Sequence, residues 1–461
     1  MTLQEIFALP DAASIIKVLK TKMYVPPAWN QLAKEYDPSL HPVMDSSKYP
    51  DVLTDEGITH VTRVGIGFQQ LAANRMAELV CGIPIKRIYS PENDKQKEAA
   101  TLIEKIYERN RIDSQNIDRL TMFFAGCEVM TLWYAQNSSP HTKYGRQSTL
   151  KVRCRHFSPM QGDEIYPLFD EFGDLIAMSV AYTRKVGDKT MHYFDTYTET
   201  QHFKWRSENA QEWEQVESSL ITLGKIPAIY MWRNAPIWEK TSGLVYEMEE
   251  KLSRNGNYLR DNSKPLFAVF ANEAIKYGGE DMDASRSVVQ FPQGSQAQYI
   301  TWEQAVDNLR FQIDSLRDLY FTQLQLPDWS YNKMSQQALS GESRKQLFID
   351  SRLKVTHEQG RILEFLDREM SVVKAFAVAI LGKEYEKEVE ALSVEHIITP
   401  FAINDDKETI ENLMKANGGE AILSRRESIE LYGHSKDVEN TMKEIDAQKQ
   451  AADIFSPEPT M

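Results

Sequence analysis

The stretch from Thr301 to Leu381 constrains this chain most, because it reads as two long helices separated by one break. Trp302, Val306, Leu309, Ile313, Leu316 and Tyr320 alternate four and three apart, which draws a narrow apolar seam down a helix over 302–324. Thr301 and Gln304 have the spacing of a capping box at its start. Pro327 cannot continue the helix and pushes Leu326 towards an extended conformation. A polar loop dotted with aromatic residues follows, containing Trp329, Tyr331, Asn332, Lys333 and Met334. After Ser340-Gly341-Glu342-Ser343 a second helix runs to Leu381, with Gly382 placed as its C′ residue. At ~1.5 Å per residue the two helices span roughly 34 Å and 58 Å. Rods of that length suit an elongated molecule better than a small enzyme core.

A second seam precedes the first. Thr241 to Arg260 reads as a helix with Val245, Met248, Leu252 and Leu259 along one line. Between the two seam helices, 265–300 reads as a small β insert with strands at Phe267–Phe270 and Val288–Phe291. Tyr277, Gly278, Gly279 and Glu280 form a turn or loop tip within it. Most other positions of the helix over 302–320 are polar (Glu303, Gln304, Asp307, Asn308, Arg310, Gln312, Asp314, Arg317 and Asp318), which fits a wet channel and ordinary solvent equally. Periodicity alone leaves two readings of the seam: a core stripe in a bundle, or a contact line to a neighbouring helix in an assembly.

Upstream, residues 1–54 read as an arm. It has a helix from Leu3 to Lys20 interrupted near Pro10, then an extended run with Pro26, Pro27, Pro38, Pro42 and Pro50. Residues 55–240 read as an α+β domain. A helix runs from Phe68 to Val80, stopped by Gly82 and Pro84. Ser90 followed by Pro91 signals the N-terminus of a helix to about Asn110. Another helix covers Asp113 to Phe124. The period then falls to two over Glu128–Ala135, Leu150–Phe157, Glu164–Phe169, Leu175–Arg184, Met191–Asp195, Gln201–Arg206 and Ile226–Trp232, an antiparallel meander. The tail, 383–461, has a charged helix (Glu384–Ala391), an extended run (His396–Ile403), and two helices broken at Gly418-Gly419, with Ser424 and Glu427 spaced as a capping box.

Composition narrows the function. The net charge of −14 argues against a protein that wraps nucleic acid by neutralising phosphates, but not against one past which nucleic acid slides. Cys81, Cys127 and Cys154 lack zinc-ligand spacing and do not form a disulfide framework, which points to a reducing compartment. No apolar run reaches the 18 residues of a membrane span. Gly65-Ile66-Gly67 lacks the third glycine and the acidic residue of a dinucleotide loop and reads as a structural turn. Four residues after His357 stands Arg361, so the zinc-peptidase pattern is missing. His156, His192 and His202 share the β-rich region and are the weak metal candidates. No catalytic residue, metal or cofactor is expected.

The order of parts decides between the two readings of the seam. Seam helix, small β insert, seam helix, polar loop and very long helix resemble the portal proteins of tailed bacteriophages, in the branch typical of long-tailed phages. Ser340-Gly341-Glu342-Ser343-Arg344-Lys345 resembles the small-Ser-Gly-x-x-Lys junction that opens the family's long helix, with Ser343-Arg344 where the family has Ala-Leu. Ile398-Thr399-Pro400-Phe401, Asn404-Asp405-Asp406, Gly418-Gly419, Leu423-Ser424-Arg425-Arg426-Glu427-Ser428 and a closing acidic helix from Asp437 to Ile445 resemble the family's tail.

The resemblance implies an α+β portal fold: an N-terminal arm (1–54), a wing (55–240), a first stem helix (241–264), a clip (265–300), a second stem helix (301–325), a tunnel loop (326–342), a spine helix of the wing (343–382) and a C-terminal crown region and tail (383–461). It implies a non-enzymatic ring, usually of twelve subunits, at one capsid vertex of the virion, assembled in the host cytoplasm, with double-stranded DNA passing through its axis during packaging and ejection. Trp329, Tyr331, Asn332, Lys333 and Met334 would face that DNA. Tyr277, Gly278, Gly279 and Glu280 would meet the large terminase and then the head-completion adaptor. Major capsid and scaffold proteins would be further partners, and no membrane is involved. The alternatives are another oligomeric virion structural or adaptor protein and, behind it, a nucleic-acid-processing enzyme, for which a convergent cluster of carboxylates or histidines within 128–232 would speak.

Overall fold

The computed structural model describes residues 2–54, 57–261, 266–270, 276–277, 289–290, 296–300, 306–326, 328, 348–401, 406–418, 422–433, 435 and 438–454. It divides into one unit of residues 1–326 with 355–399 and another of 327–354 with 400–461.

The chain opens with helices α1 (Leu3–Phe7) and α2 (Ala12–Leu19) on either side of Pro10. A capping box of Thr2 and Glu5 starts the first, and the Asp11 carboxylate accepts the Ser14 amide at 2.7 Å to start the second. Helix α3 (Trp29–Tyr36) lies where the prolines suggested an extended run. The prolines flank it rather than interrupt it, and Trp29, Leu32, Ala33 and Tyr36 carry a helical period that the flanking prolines mask. A two-stranded ribbon, β1 (Val52–Thr54) and β2 (Gly57–Thr59), leads into α4 (Phe68–Cys81).

Strand β3 (Lys86–Ser90) precedes α5 (Asp94–Asn110) and α6 (Ile112–Gly126). Ser90 therefore ends a strand and caps no helix. Its place is taken by Asn93, whose side chain accepts the Gln96 amide at 2.9 Å. The competing pull on Ser90 is long-range: β3 pairs antiparallel with a strand more than 300 residues later, with Ser90 opposite Ser393. No local signal announces such a partner.

Eight strands follow: β4 (Glu128–His141), β5 (Ser148–Phe157), β6 (Glu164–Phe169), β7 (Leu175–Val186), β8 (Lys189–Tyr197), β9 (Gln201–Ser207), β10 (Glu214–Leu220) and β11 (Ala228–Trp232). They form an antiparallel three-stranded sheet in the order β11-β4-β5 and an antiparallel five-stranded sheet in the order β10-β9-β8-β7-β6. The meander has the strands expected of it, plus β10. All of β10 is exposed, so nothing imposes the alternation by which a strand is recognised.

Helix α7 (Ser242–Asp261) leads through β12 (Leu266–Phe270), β13 (Lys276–Tyr277), β14 (Val289–Gln290) and β15 (Gln296–Ile300) to α8 (Val306–Leu324). Then come α9 (Ile349–Leu381), α10 (Glu386–Ala391) and β16 (Ser393–Ile397), the partner of β3. The other unit contains α11 (Asp406–Asn417), α12 (Arg425–Tyr432) and α13 (Val438–Ile454). Both bonds of the Ser424–Glu427 capping box are made. Gly382, just past α9, has φ 113°, a conformation that side chains with a Cβ rarely adopt.

Two apolar clusters hold the sheets. Met130, Leu132 and Phe157 of the smaller sheet meet Ile165, Met178 and Val180 of the larger. On the other face of the larger sheet, Ile6, Ile16 and Leu19 of α1 and α2 cover Phe194 and Trp205. The long helix α9 is tied in by charge. Arg119 of α6 donates two bonds to the Glu369 carboxylate, at 2.7 and 2.9 Å, and Trp133 of β4 donates a third at 3.0 Å. Both charged side chains are fully buried. Burial alone would push the Glu369 carboxyl up, but Arg119 and the Trp133 indole hold it below its ordinary value.

Breaking such a pair from one side leaves a bare charge in the core, at a cost of about 3–5 kcal/mol. Arg119→Met should lower the unfolding free energy read from urea denaturation by that much, whereas Arg119→Met with Glu369→Leu should recover most of it. Equal losses in the single and double variants would show that packing, not charge pairing, holds α9.

Candidate functional site

Helices α7 and α8 pack against each other. They are joined through the antiparallel pair β12–β15, in which Leu266 faces Ile300, and through β13–β14. The chain therefore leaves α7 and returns to α8 through a hairpin. The expected strands at Phe267–Phe270 and Val288–Phe291 appear as β12 and β14, and β15 is added. Tyr277, expected at a turn or tip, is a strand residue opposite Val289; Gly278, Gly279 and Glu280 lie outside the described residues.

The seam positions are not equivalent. Val245 and Met248 on α7 and Tyr320 on α8 are buried. Leu252, Leu309, Ile313 and Leu316 are only partly covered, and Leu259 is 53% exposed. Trp302 and the side chain of Val306 lie outside the described residues. Phe311, off the seam, is 70% exposed. One end of the α7–α8 pair is thus core, and the other shows apolar surface that is partly exposed among the described residues. Helix α8 stops at Leu324, with Gln325 at φ 55°, as expected of a helix that must end before Pro327. Trp329, Tyr331, Asn332, Lys333 and Met334 all lie outside the described residues.

Sequence periodicity missed what holds α7. Glu249, Ser253 and Asn257 form a polar line with a step of four residues, ~6 Å of helix rise. Their side chains accept the amides of Ile66 at 2.7 Å, Val64 at 2.9 Å and Thr62 at 2.6 Å. Alternate residues of an extended chain are ~6.6 Å apart, so helix step and chain step nearly match. The turn read at Gly65-Ile66-Gly67 belongs to this docked segment: a Cβ on Gly65 would sit 2.7 Å from the Pro38 carbonyl oxygen. Gly256 faces the same segment, where a Cβ would meet the Thr62 methyl at 2.7 Å. A polar line spaced i, i+4 beside an apolar seam was the available signal.

The N-terminal residues clamp the same helix. Glu35 of α3 accepts from the Trp238 indole at 2.9 Å and the Ser242 hydroxyl at 2.7 Å. His41 Nδ1 lies 2.6 Å from the Glu249 carboxylate, and its Nε2 lies 2.8 Å from the Glu35 carbonyl. Burial pulls the His41 pKa down, but these two bonds and the Glu249 charge outweigh it and raise it.

The histidines named as metal candidates do not converge. His156 bonds Thr131 and Gln115, both at 2.8 Å, and burial and then Arg119 push its pKa down to about 4. His192 pairs opposite Ser207, and His202 stacks on Tyr197 at 4.4 Å. Among the described residues no three His, Cys, Asp or Glu side chains group as a metal site. Burial pushes all three cysteine thiols up to about 12, far from reactive thiolates. Among the described residues no helix is long and apolar enough to cross a membrane.

Gly256→Ala should lower the melting temperature, against the gain of about 1 kcal/mol that Ala brings at an open helix position; a higher melting temperature would show the Thr62 contact to be slack. The His41 pKa is raised on folding. Its stabilisation is therefore complete below the free-imidazole value of about 6.5 and lost as pH rises through the folded value. Amide exchange of residues 29–45 should speed up on going from pH 6 to pH 8.5, after correction for intrinsic rates, and His41→Gln should remove that dependence.

The family model described as "Phage portal protein, SPP1 Gp6-like" matches residues 31–454. No curated protein matches the chain. Solved structures similar to it include two from gene transfer agent particles. One, from the virion of a native gene transfer agent particle, has 10% identity, a TM-score of 0.40, and covers 91% of this chain and 98% of its own. The other, from the neck of a native gene transfer agent particle computed with C12 symmetry, has 10% identity, a TM-score of 0.42, and covers 90% of this chain and 95% of its own. The match over 31–454 spans nearly the whole chain, and this protein belongs to the phage portal protein family of the SPP1 Gp6-like type.

Proposed function

We propose that the chain forms a ring, of about twelve copies, at one vertex of a phage capsid, and that double-stranded DNA is packaged and ejected through the ring's axis. Membership of the portal family over residues 31–454 carries this reading. Portal proteins are structural parts of the virion and not enzymes. The ring then serves as the docking site for the large terminase and, later, for head-completion and tail proteins. Capsid and scaffold proteins meet it at the vertex.

The helix–hairpin–helix of α7, β12–β15 and α8 supports stem helices at 241–264 and 301–325 with a clip at 265–300. The two-sheet region supports a wing at 55–240, crossed by a spine helix at 343–382, with an arm before it and a crown region at 383–461. The half-covered seam supports subunit contact along Leu252, Leu259, Leu309, Ile313 and Leu316. Residues 326–342 form the tunnel loop, with Trp329, Tyr331, Asn332, Lys333 and Met334 near DNA; the clip meets its partners around Tyr277, Gly278, Gly279 and Glu280. A net charge of −14 suits a channel for DNA of any sequence, since a strongly basic lining would arrest sliding.

Electron microscopy of material recovered from virions should show rings with an axial hole made of this chain; finding the protein dispersed over the capsid or in the tail would overturn the reading. Lys333→Ala should alter DNA packaging or retention while rings still form. Normal packaging and retention in that variant would remove Lys333 from the DNA path.

A further inference from the structure

The five-stranded sheet has two unlike faces. One is covered by α1 and α2. The other carries alternate residues of neighbouring strands: Tyr182 and Arg184 on β7, Tyr193, Asp195 and Tyr197 on β8, His202 and Lys204 on β9. Much of this face, with Trp133, Arg155 and Phe157 of the smaller sheet and Phe376 of α9, lines an open cavity of about 690 Å³. A space of that size can hold a large side chain with its flanking backbone.

The cavity has unmet chemistry. Arg155 lies over the Phe157 ring at 4.4 Å, Arg184 over Tyr182 at 4.9 Å and Lys204 over Tyr193 at 5.4 Å. Among the described residues none of these cations has a carboxylate within ion-pair distance. Asp195 is 5% exposed, and its Oδ2 accepts the Tyr182 hydroxyl at 2.9 Å. Its Oδ1 is buried without a hydrogen-bond partner, as is His202 Nε2. Burial raises the Asp195 pKa to about 6, which still leaves it mostly charged at neutral pH; with Glu217, which also lines the cavity, it sets two carboxylates against the three cations and leaves the lining cationic on balance. An occupant should be acidic, should carry an apolar body for the aromatic walls, and should bring N–H groups.

The chain presents such an object at the other end of β7. The turn between β6 and β7 reads Asp170-Glu171-Phe172-Gly173-Asp174, with three carboxylates and no cation. Phe172 is 88% exposed, more than any other large apolar side chain among the described residues. It is held outward by a preformed turn. The Asp170 carboxylate accepts the Phe172 amide at 2.9 Å and the Asp174 amide at 2.8 Å, and Gly173 has φ 90°. From Gly173 to Tyr182 the strand covers ~30 Å at ~3.3 Å per residue. The tip therefore cannot fill the cavity of its own chain.

We propose that Phe172 of one copy enters this cavity on a second copy, with Glu171 and Asp174 set against Arg155, Arg184 and Lys204. The occupant is chosen on charge and shape: an acidic, aromatic-tipped turn and a cation-rimmed, aromatic-walled cavity on different parts of one chain. Plug and socket are different surfaces, so the contact is head-to-tail, the kind that closes into a ring when the rotation per copy allows. This inference rests on the ring proposed above and assigns it a contact away from the stem.

Cysteine cross-linking of rings recovered from assembled particles tests it. Leu220 lines the cavity and is 76% exposed, so it marks the socket rim. Phe172→Cys with Leu220→Cys should oxidise to a ladder of covalent multimers, and neither single variant should. In rings of the purified chain, Phe172→Ala, Glu171→Lys and Arg184→Glu should each raise the concentration for half-assembly by about tenfold or more, as for a buried aromatic or paired-charge anchor. Glu171→Lys combined with Arg184→Glu should restore assembly. Phe172, Glu171 and Arg184 are all exposed in the single chain, so their variants should keep the wild-type melting temperature. Wild-type rings with no ladder, and unchanged assembly of all three single variants, would overturn this contact and leave the ring standing. Virion material with no rings at all would overturn both.

Discussion

The buried pair of Arg119 and Glu369 is the constraint around which the larger unit is arranged. It joins α6 to α9, and the Trp133 indole joins β4 to the same carboxylate. A guanidinium and a carboxylate can share a core only in a fixed bidentate geometry. The position of α9 against helix and sheet is therefore specified more sharply than apolar packing alone would manage. Its neighbours are set by it as well: Arg119 lies over the Phe365 ring at 4.9 Å, and His156 beside it is kept neutral.

Helix α7 is held on different principles. Its apolar positions Val245 and Met248 are buried, yet its direction is set by three polar side chains that receive every second amide of the 62–66 segment. Glu249 is shared between that ladder and His41, so N-terminal residues and helix are coupled through one carboxylate. The far half of the α7–α8 pair keeps apolar surface open. The anchored base fixes the direction in which that open surface points.

Much of this was legible locally. The meander strands and the stop before Pro327 follow from period, β-branched and aromatic residues, and one proline. Errors fell where a distant partner or a solvated face overrode local rules. Ser90 looks like a cap but pairs with Ser393. Glu214–Leu220 is a strand without alternation because both its faces are wet. Trp29–Tyr36 is a helix framed by prolines that seemed to forbid one. At the candidate site, the seam was readable but its division into buried and open halves was not. Burial depends on what lies alongside, and Thr62, Val64 and Ile66 reach α7 from about 190 residues away in sequence.

By itself the sequence determined most of the helices and strands in their order, the acidic character and the stop before Pro327, because these depend on short-range periodicity, on proline and on a sum of charges. Only the tertiary structure decided which charges are buried together, which polar line carries α7, and which part of the five-stranded sheet the smaller sheet leaves open. Those are matters of long-range juxtaposition. A glutamate in a helix looks the same in sequence whether it faces water, as Glu364 does, or an arginine in the core, as Glu369 does. The difference lies in the low dielectric around the second, where only a complementary charge brought from a remote helix makes its ionised form tolerable.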